Sequence, residues 1–339
     1  MISRRLFAQG FAGVMAAGTL AACSSERAAT PVAATTTTTG GHTEFAALKQ
    51  VQAGPLNIGY AEAGPANGPA CILLHGWPYD IHSYVDVAPI LAAAGYRVIV
   101  PYLRGYGSTT FLSADTVRNG QQSAIASDIV ALMDALHIDK AVLGGYDWGS
   151  RTVGCVAALW PERVKAAVLV SGYLVTNLKA QQQPLAPAAE LGWWYQYYFA
   201  TERGVQGYTA NRHDFNKLIW TNASPKWKFD DATYDRSAQA FTNADHVAIV
   251  IHNYRWRLGL ADGETQYDTI EQKLQTAPPI TVPAITIGSD FDGATIDGMA
   301  YRSKFTGKYD HRILKGIGHN VPQEAPKDFA KAIVDASAL

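Results

Sequence analysis

The sequence predicts an α/β fold: a mostly parallel, eight-stranded sheet with helices on both faces and an inserted helical cap. Three observations carry this expectation. Short apolar runs alternate with helix-period segments from residue 70 to 172, as in crossover units that bury a parallel sheet on both sides. The alternation stops over 173–263, where Trp, Tyr, Asn and Gln accumulate. It resumes with VPAITIGSD and ends with PKDFAKAIVDA.

Each element has its own signal. Residues 45–63 alternate in polarity and break at Gly54-Pro55, which gives two hairpin strands. ACILL (70–74) is a buried strand running into HGWP. PILAAAGY (89–96) closes a helix, with Gly95 at its carboxyl end. RVIV (97–100) is a strand and leads into the loop PYLRGYGST. QQSAIASDIVALMDALHI (121–138) places apolar residues at helical spacing. KAVLGG is a strand, SRTVGCVAALWPE a helix, and KAAVLVSG (165–172) another strand. Segment 173–263 reads as several short helices with irregular joins. DHRILKGIGHN supplies the last strand and its loop, and PKDFAKAIVDA the last helix. Sheets of this kind bind ligands at the carboxyl ends of their strands, so the insertion is expected to cover that end.

The chain has 339 residues, 48% of them hydrophobic, and a formal net charge of −1. That suffices for a large core and implies no basic face for nucleic acid. The amino terminus differs from the rest. MISRRLF, with Arg4 and Arg5, precedes the small apolar run AQGFAGVMAAGTLAA. This is the layout of an export signal, assigned to residues 1–22; its apolar part is shorter than the ~20 residues of a bilayer span. The paired arginines resemble a twin-arginine signal. LAAC resembles a bacterial lipoprotein cleavage box, in which Cys23 becomes the lipidated first residue. SSERAATPVAATTTTTGG has almost no large apolar groups and reads as a flexible tether over 23–42. A single domain is then expected over 43–339, in an exported, periplasmic or cell-envelope protein held to a membrane through Cys23. Cys71 and Cys155 sit in apolar runs and read as buried small hydrophobes rather than a disulfide.

The chemistry centres on GYDWG (145–149). A small–x–acid–x–Gly turn between a strand and a helix is a nucleophile elbow, which holds one side chain in a strained, exposed position. Capping the helix is the ordinary use of Asp at such a place. HGWP upstream and GHN downstream favour the elbow for Asp147. No HExxH helix or paired CxxC occurs, so no metal or cofactor is expected.

With HGWP, GYDWG and GIGHN in this order, the chain resembles the α/β-hydrolase superfamily over 45–338. Tyr102 stands where that family often has Asp. Most members carry Ser at the elbow. Asp147 implies different chemistry, because a carboxylate of reference pKa ~3.9 is already ionised at neutral pH. It attacks an sp³ carbon bearing a leaving group and forms an alkyl ester, which water activated by His319 then cleaves. The resemblance assigns an acid to orient His319. GSDFDG offers Asp290 and Asp292, of which Asp290, nearer the strand end, is preferred. The backbone N–H groups of Trp77 and Trp148 are the implied oxyanion donors.

Two branches use an elbow aspartate: epoxide hydrolases and haloalkane dehalogenases. GWWYQYYFATERG and IHNYRWRLG resemble the two epoxide hydrolase cap segments. They assign Tyr195 and Tyr254 as phenols supporting the opened ring oxygen; ordinary Tyr, with pKa near ~10, stays a donor at neutral pH. The function expected is opening of an epoxide to a diol. Trp77 and Trp148 would also suit a halide, and Tyr146 stands where His is common before the nucleophile, so haloalkane dehalogenation remains the alternative. A hydrolase-like binding lipoprotein without turnover is the third reading. Trp193, Trp194, Trp220 and Trp256 point to a small apolar or aromatic substrate.

Overall fold

The computed structural model describes residues 45, 47–292 and 300–339, with the backbone alone for Asp292. The expected signal, the tether and Cys23 lie outside the described residues.

Among the described residues, nine strands form one sheet: β1 (Lys49–Ala53), β2 (Leu56–Ala63), β3 (Ala70–Leu74), β4 (Arg97–Pro101), β5 (Thr110–Phe111), β6 (Ala141–Gly145), β7 (Val164–Val170), β8 (Ala284–Ser289) and β9 (Tyr309–Leu314). Their order is β1-β2-β4-β3-β6-β7-β8-β9, with β5 paired to β2. β2 runs antiparallel to β1, β4 and β5, and every other pairing is parallel. The eight expected strands are thus joined by a two-residue ninth, too short to leave a polarity pattern. β6 is buried throughout its length, and β7 at every position but Lys165. That is the burial expected where helices cover both faces.

The first helices are α1 (Val87–Ala93), α2 (Gln122–Ala135) and α3 (Trp148–Leu159). Between β7 and β8 the chain passes through α4 (Leu178–Gln181), α5 (Pro187–Gly192), α6 (Trp194–Phe199), α7 (Glu202–Ala223), α8 (Asp231–Ala238), α9 (His246–Arg257) and α10 (Asp268–Gln275). It ends in α11 (Val321–Glu324) and α12 (Pro326–Ala338). Two adjacent glycines of β6 show how the layers divide. A Cβ on Gly144 would strike Ile333 and Phe329 of α12, whereas one on Gly145 would strike Gly149 and Ser150 of α3. Successive strand residues point to opposite faces, so α12 and α3 cover opposite sides of the sheet. α1 joins α12, and α2 joins α3.

Buried polar contacts fix the loops at the carboxyl ends of the strands. Arg104 and Asp128 form a two-pronged ion pair at 2.6 and 2.7 Å, tying the loop after β4 to α2. Cys71 and Cys155 are each buried and free. Among the described residues, no helix is long and apolar enough to cross a membrane.

Candidate active site

β6 ends at Gly145 and α3 begins at Trp148, so two residues make the turn. Asp147 has φ +52° and ψ −124°, a conformation costly for any residue with a Cβ. The crowding around it demands glycine. A Cβ on Gly149 would lie 1.8 Å from the Leu74 carbonyl oxygen, and one on Gly76 would lie 2.3 Å from the Asp147 Cβ. Asp147 sits at the N-cap position of α3, yet its side chain makes no capping bond. Oδ1 instead accepts the Trp77 backbone N–H at 2.8 Å, and Oδ2 lies 3.4 Å from His319 Nε2. Burial works to raise the carboxyl pKa. The neighbouring His319, the positive charge of Arg151 and the Trp77 N–H outweigh it and hold the group below its ordinary value. Asp147 is therefore an ionised carboxylate at neutral pH.

His319 lies in the loop between β9 and α11. Its backbone N–H donates to the Ala223 carbonyl and the Ser224 hydroxyl at 3.2 and 2.9 Å. Glu324 braces the same loop: it accepts from the Gly318 and Asn320 N–H groups and from the Ser224 hydroxyl. The Phe291 ring covers the imidazole at 4.3 Å between centroids. Sequence reasoning missed Ser224 and Glu324; the signal available was an acid a few residues beyond the GHN turn.

The expected partner of His319 is not where the sequence suggested. Asp290 directs its carboxylate to Lys226 Nζ at 2.5 Å and is over a third exposed. His319 Nδ1 has no hydrogen-bond partner among the described residues. Asp290 thus serves an ion pair at the rim: the short 290–292 turn carries its side chain outward from the strand end. The side chain of Asp292, the other candidate, is outside the described set.

Trp77 connects the site to the cap. Its indole Nε1–H donates to Tyr208 Oη at 2.9 Å, and Tyr208 donates in turn to His246 Nε2 at 2.9 Å. His246 Nδ1–H completes the chain to the Gly105 carbonyl at 2.9 Å. The backbone N–H of Trp77 is thereby backed by a fully buried relay through α7 and α9. His75, in HGWP, is likewise structural. Its Nδ1–H donates to Gly76 O at 3.0 Å, while Nε2 accepts the Leu103 N–H at 3.2 Å. Trp148 opens α3, where the first N–H groups lack intrahelical acceptors.

Of the two cap tyrosines, Tyr195 (α6) lines a cavity of about 360 Å³ together with Asp147, Trp77 and His319. Tyr254 (α9) is buried and does not line it. Its ring packs 5.4 Å from Tyr195 and 5.1 Å from Trp77. Burial raises the pKa of both phenols above the ordinary value, so both remain protonated donors. A second cavity, of about 630 Å³, adjoins the first at Asp147, Trp193, Phe291 and His319. Trp193 and Trp194 line the smaller cavity. Trp220 instead donates to the Pro78 carbonyl at 2.6 Å and stacks on Tyr79, and Trp256 is buried. Tyr146 donates to or accepts from Ser83 at 2.6 Å and packs edge-on to His319. Among the described residues, no cluster of His, Cys, Asp and Glu could hold a metal ion.

Residues 69–316 match the family model of the alpha/beta hydrolase fold. A crystal structure of a "putative epoxide hydrolase" from Klebsiella pneumoniae is 59% identical, with a TM-score of 0.85 over 88% of this chain and 99% of that one. Epoxide hydrolase A of Mycobacterium tuberculosis is 23% identical over 84% of this chain and 95% of its own length. An epoxide hydrolase of Caballeronia sordidicola is 26% identical over 79% of this chain and 87% of its own. The chain thus belongs to the α/β-hydrolase family, among its epoxide hydrolase-like members.

Proposed function

We propose that the protein hydrolyses an epoxide to a vicinal diol through an ester on Asp147. The observation that carries this reading is the strained, ionised Asp147, with one oxygen held by the Trp77 N–H and the other beside His319 Nε2. Oδ2 attacks a ring carbon, the carbon–oxygen bond breaks, and Tyr195 or Tyr254 protonates the departing alkoxide. His319 then removes a proton from water, whose oxygen adds to the Asp147 carboxyl carbon. The resulting oxyanion is stabilised by the Trp77 and Trp148 N–H groups. Collapse releases the diol and restores the carboxylate, and the proton on His319 returns to the phenolate.

One observation favours the dehalogenase alternative. Trp148 Nε1 is buried without a partner among the described residues, as a halide donor would be. The matching donor on Trp77, however, is occupied by Tyr208. Diol formation measured against halide release, on panels of small epoxides and haloalkanes, separates the two. Replacing both tyrosines (Tyr195→Phe with Tyr254→Phe) is expected to lower epoxide turnover by ~10²–10⁴ and to spare halide release. Halide release without diol would replace the proposal with the alternative. We further propose export and lipidation at Cys23; fatty-acid labelling that persists in Cys23→Ser would refute it.

A further inference from the structure

The larger cavity contains two buried arginines that take no part in the bond-making steps above, where Arg151 acts only as a charge near Asp147. Arg151 lies one helical turn beyond the nucleophile, its backbone N–H bonded to the Asp147 carbonyl at 3.0 Å. Its Nε–H donates to the Leu174 carbonyl at 3.2 Å, and Nη1 has no partner among the described residues. Arg257 ends α9 and reaches Gln181 at 3.4 Å through Nη2, while its Nε is likewise unpartnered. Its guanidinium stands over the Trp193 and Tyr254 rings at 5.9 and 5.6 Å. Both side chains are 7% exposed, and both line the 630 Å³ cavity with Asp147 and His319.

Buried guanidinium groups are ordinarily matched with carboxylates, because desolvating a charge without a partner is costly. This protein follows that rule at Arg104, which grips Asp128 two-pronged. Arg151 and Arg257 form no ion pair with a carboxylate among the described residues, and their like charges oppose one another. Ser171, on the same wall, also has a buried hydroxyl without a partner among the described residues. Three residues of one cavity wall thus each keep a buried polar atom without a partner among the described residues, and buried polar groups are ordinarily hydrogen-bonded.

We infer that the cavity recognises a carboxylate through Arg151 and Arg257, so that the substrate is an epoxy acid with an apolar body. Asp147 is the only acid among the described residues lining this cavity. Two arginines against one carboxylate leave one positive charge unbalanced, which suits a monoanion. The remaining wall includes Tyr173, Leu174, Val175 and Trp193, which suits hydrocarbon. The planar fork of arginine matches a carboxylate with paired hydrogen bonds. The choice of an epoxide as the reactive end rests on the function proposed above; the anion site rests on the arginines alone.

A matched pair tests it: 3-phenylglycidate and 3-phenylglycidamide, compared by kcat/KM in the wild type, Arg257→Gln and Arg151→Gln. Charge-assisted hydrogen bonds predict a wild-type preference for the acid of about 10- to 100-fold. That preference should collapse toward unity in each variant. A measurement that needs no variant is calorimetric binding of 3-phenylpropanoate against 3-phenylpropanamide to the wild type, where the acid should bind tighter by a similar factor. Equal turnover or equal binding of acid and amide overturns the anion site and leaves ring opening intact. Tighter binding of the acid with neither epoxide opened supports the anion site and refutes ring opening instead.

Discussion

His319→Gln separates the two halves of the proposed reaction. Oδ2 of Asp147 needs no base to attack, and in the variant the Arg151 charge and the Trp77 N–H still favour its carboxylate form. Ester formation therefore survives in the variant. Cleavage of the ester requires a proton acceptor 3.4 Å from the nucleophile, which glutamine is not. General-base assistance contributes ~10²–10⁴, so turnover should fall by that factor while one equivalent of substrate accumulates on the enzyme. The fold should tolerate the change, because the bonds from the His319 backbone N–H to Ala223 and Ser224 do not involve the imidazole. A loss of about 1 kcal/mol is the scale expected for such a replacement. Intact-mass spectrometry should show an increment of one substrate mass, and peptide mapping should place it on Asp147. In the wild type, a single turnover in ¹⁸O-water should leave the label in the Asp147 carboxylate, with none in the diol. Label in the first diol released, or no adduct from a substrate the wild type hydrolyses, refutes the ester.

Other perturbations test the supporting structure. Tyr208→Phe strands Trp77 Nε1 and His246 Nε2, which share that hydroxyl; it should cost ~1–3 kcal/mol in denaturant unfolding and lower kcat. Asp128→Asn leaves the Arg104 charge buried without its ion pair, with an expected loss of ~3–5 kcal/mol by the same measurement. Burial lowers the pKa of His75 to about 4 and of His246 to about 3, against ~6.5 when unfolded. Both must stay neutral in the native state, so they contribute stability fully above pH ~6.5 and lose it as pH falls toward those values. The unfolding free energy should drop by up to about 2.7 kcal/mol per pH unit from the two together; a urea midpoint that stays flat from pH 6.5 to 4.5 excludes this.

The parts of the site legible in the sequence were those imposed by turn geometry. A strand-to-helix reversal with an acid at its tip leaves little choice but glycine on either side, so GYDWG announces itself in one line of text. HGWP and GIGHN are legible through their resemblance to the family's motifs, and close approach accounts for a glycine in each: a Cβ on Gly76 would meet Asp147, and one on Gly318 would meet Ser224. The histidine partner was not, because GSDFDG offers two acids two residues apart, and only three-dimensional placement shows Asp290 turned to Lys226. Tyr195 and Tyr254 were singled out through their flanks, and of the two Tyr195 lines the 360 Å³ cavity beside Asp147. The arginines were overlooked because each looked like an ordinary surface charge on a helix. The clue was available for Arg151: in WGSRTVGCVAAL it stands among residues that are nearly all buried. The strand β5 was invisible because two residues carry no period.

Trp77 faces two ways at once, its peptide toward the carboxylate and its indole toward Tyr208 and His246 in the lid helices. The peptide that holds Asp147 Oδ1 and the indole that grips α7 and α9 belong to one residue. A displacement of either covering helix is therefore transmitted to the carboxylate through a single side chain, so the cap and the elbow are mechanically one body.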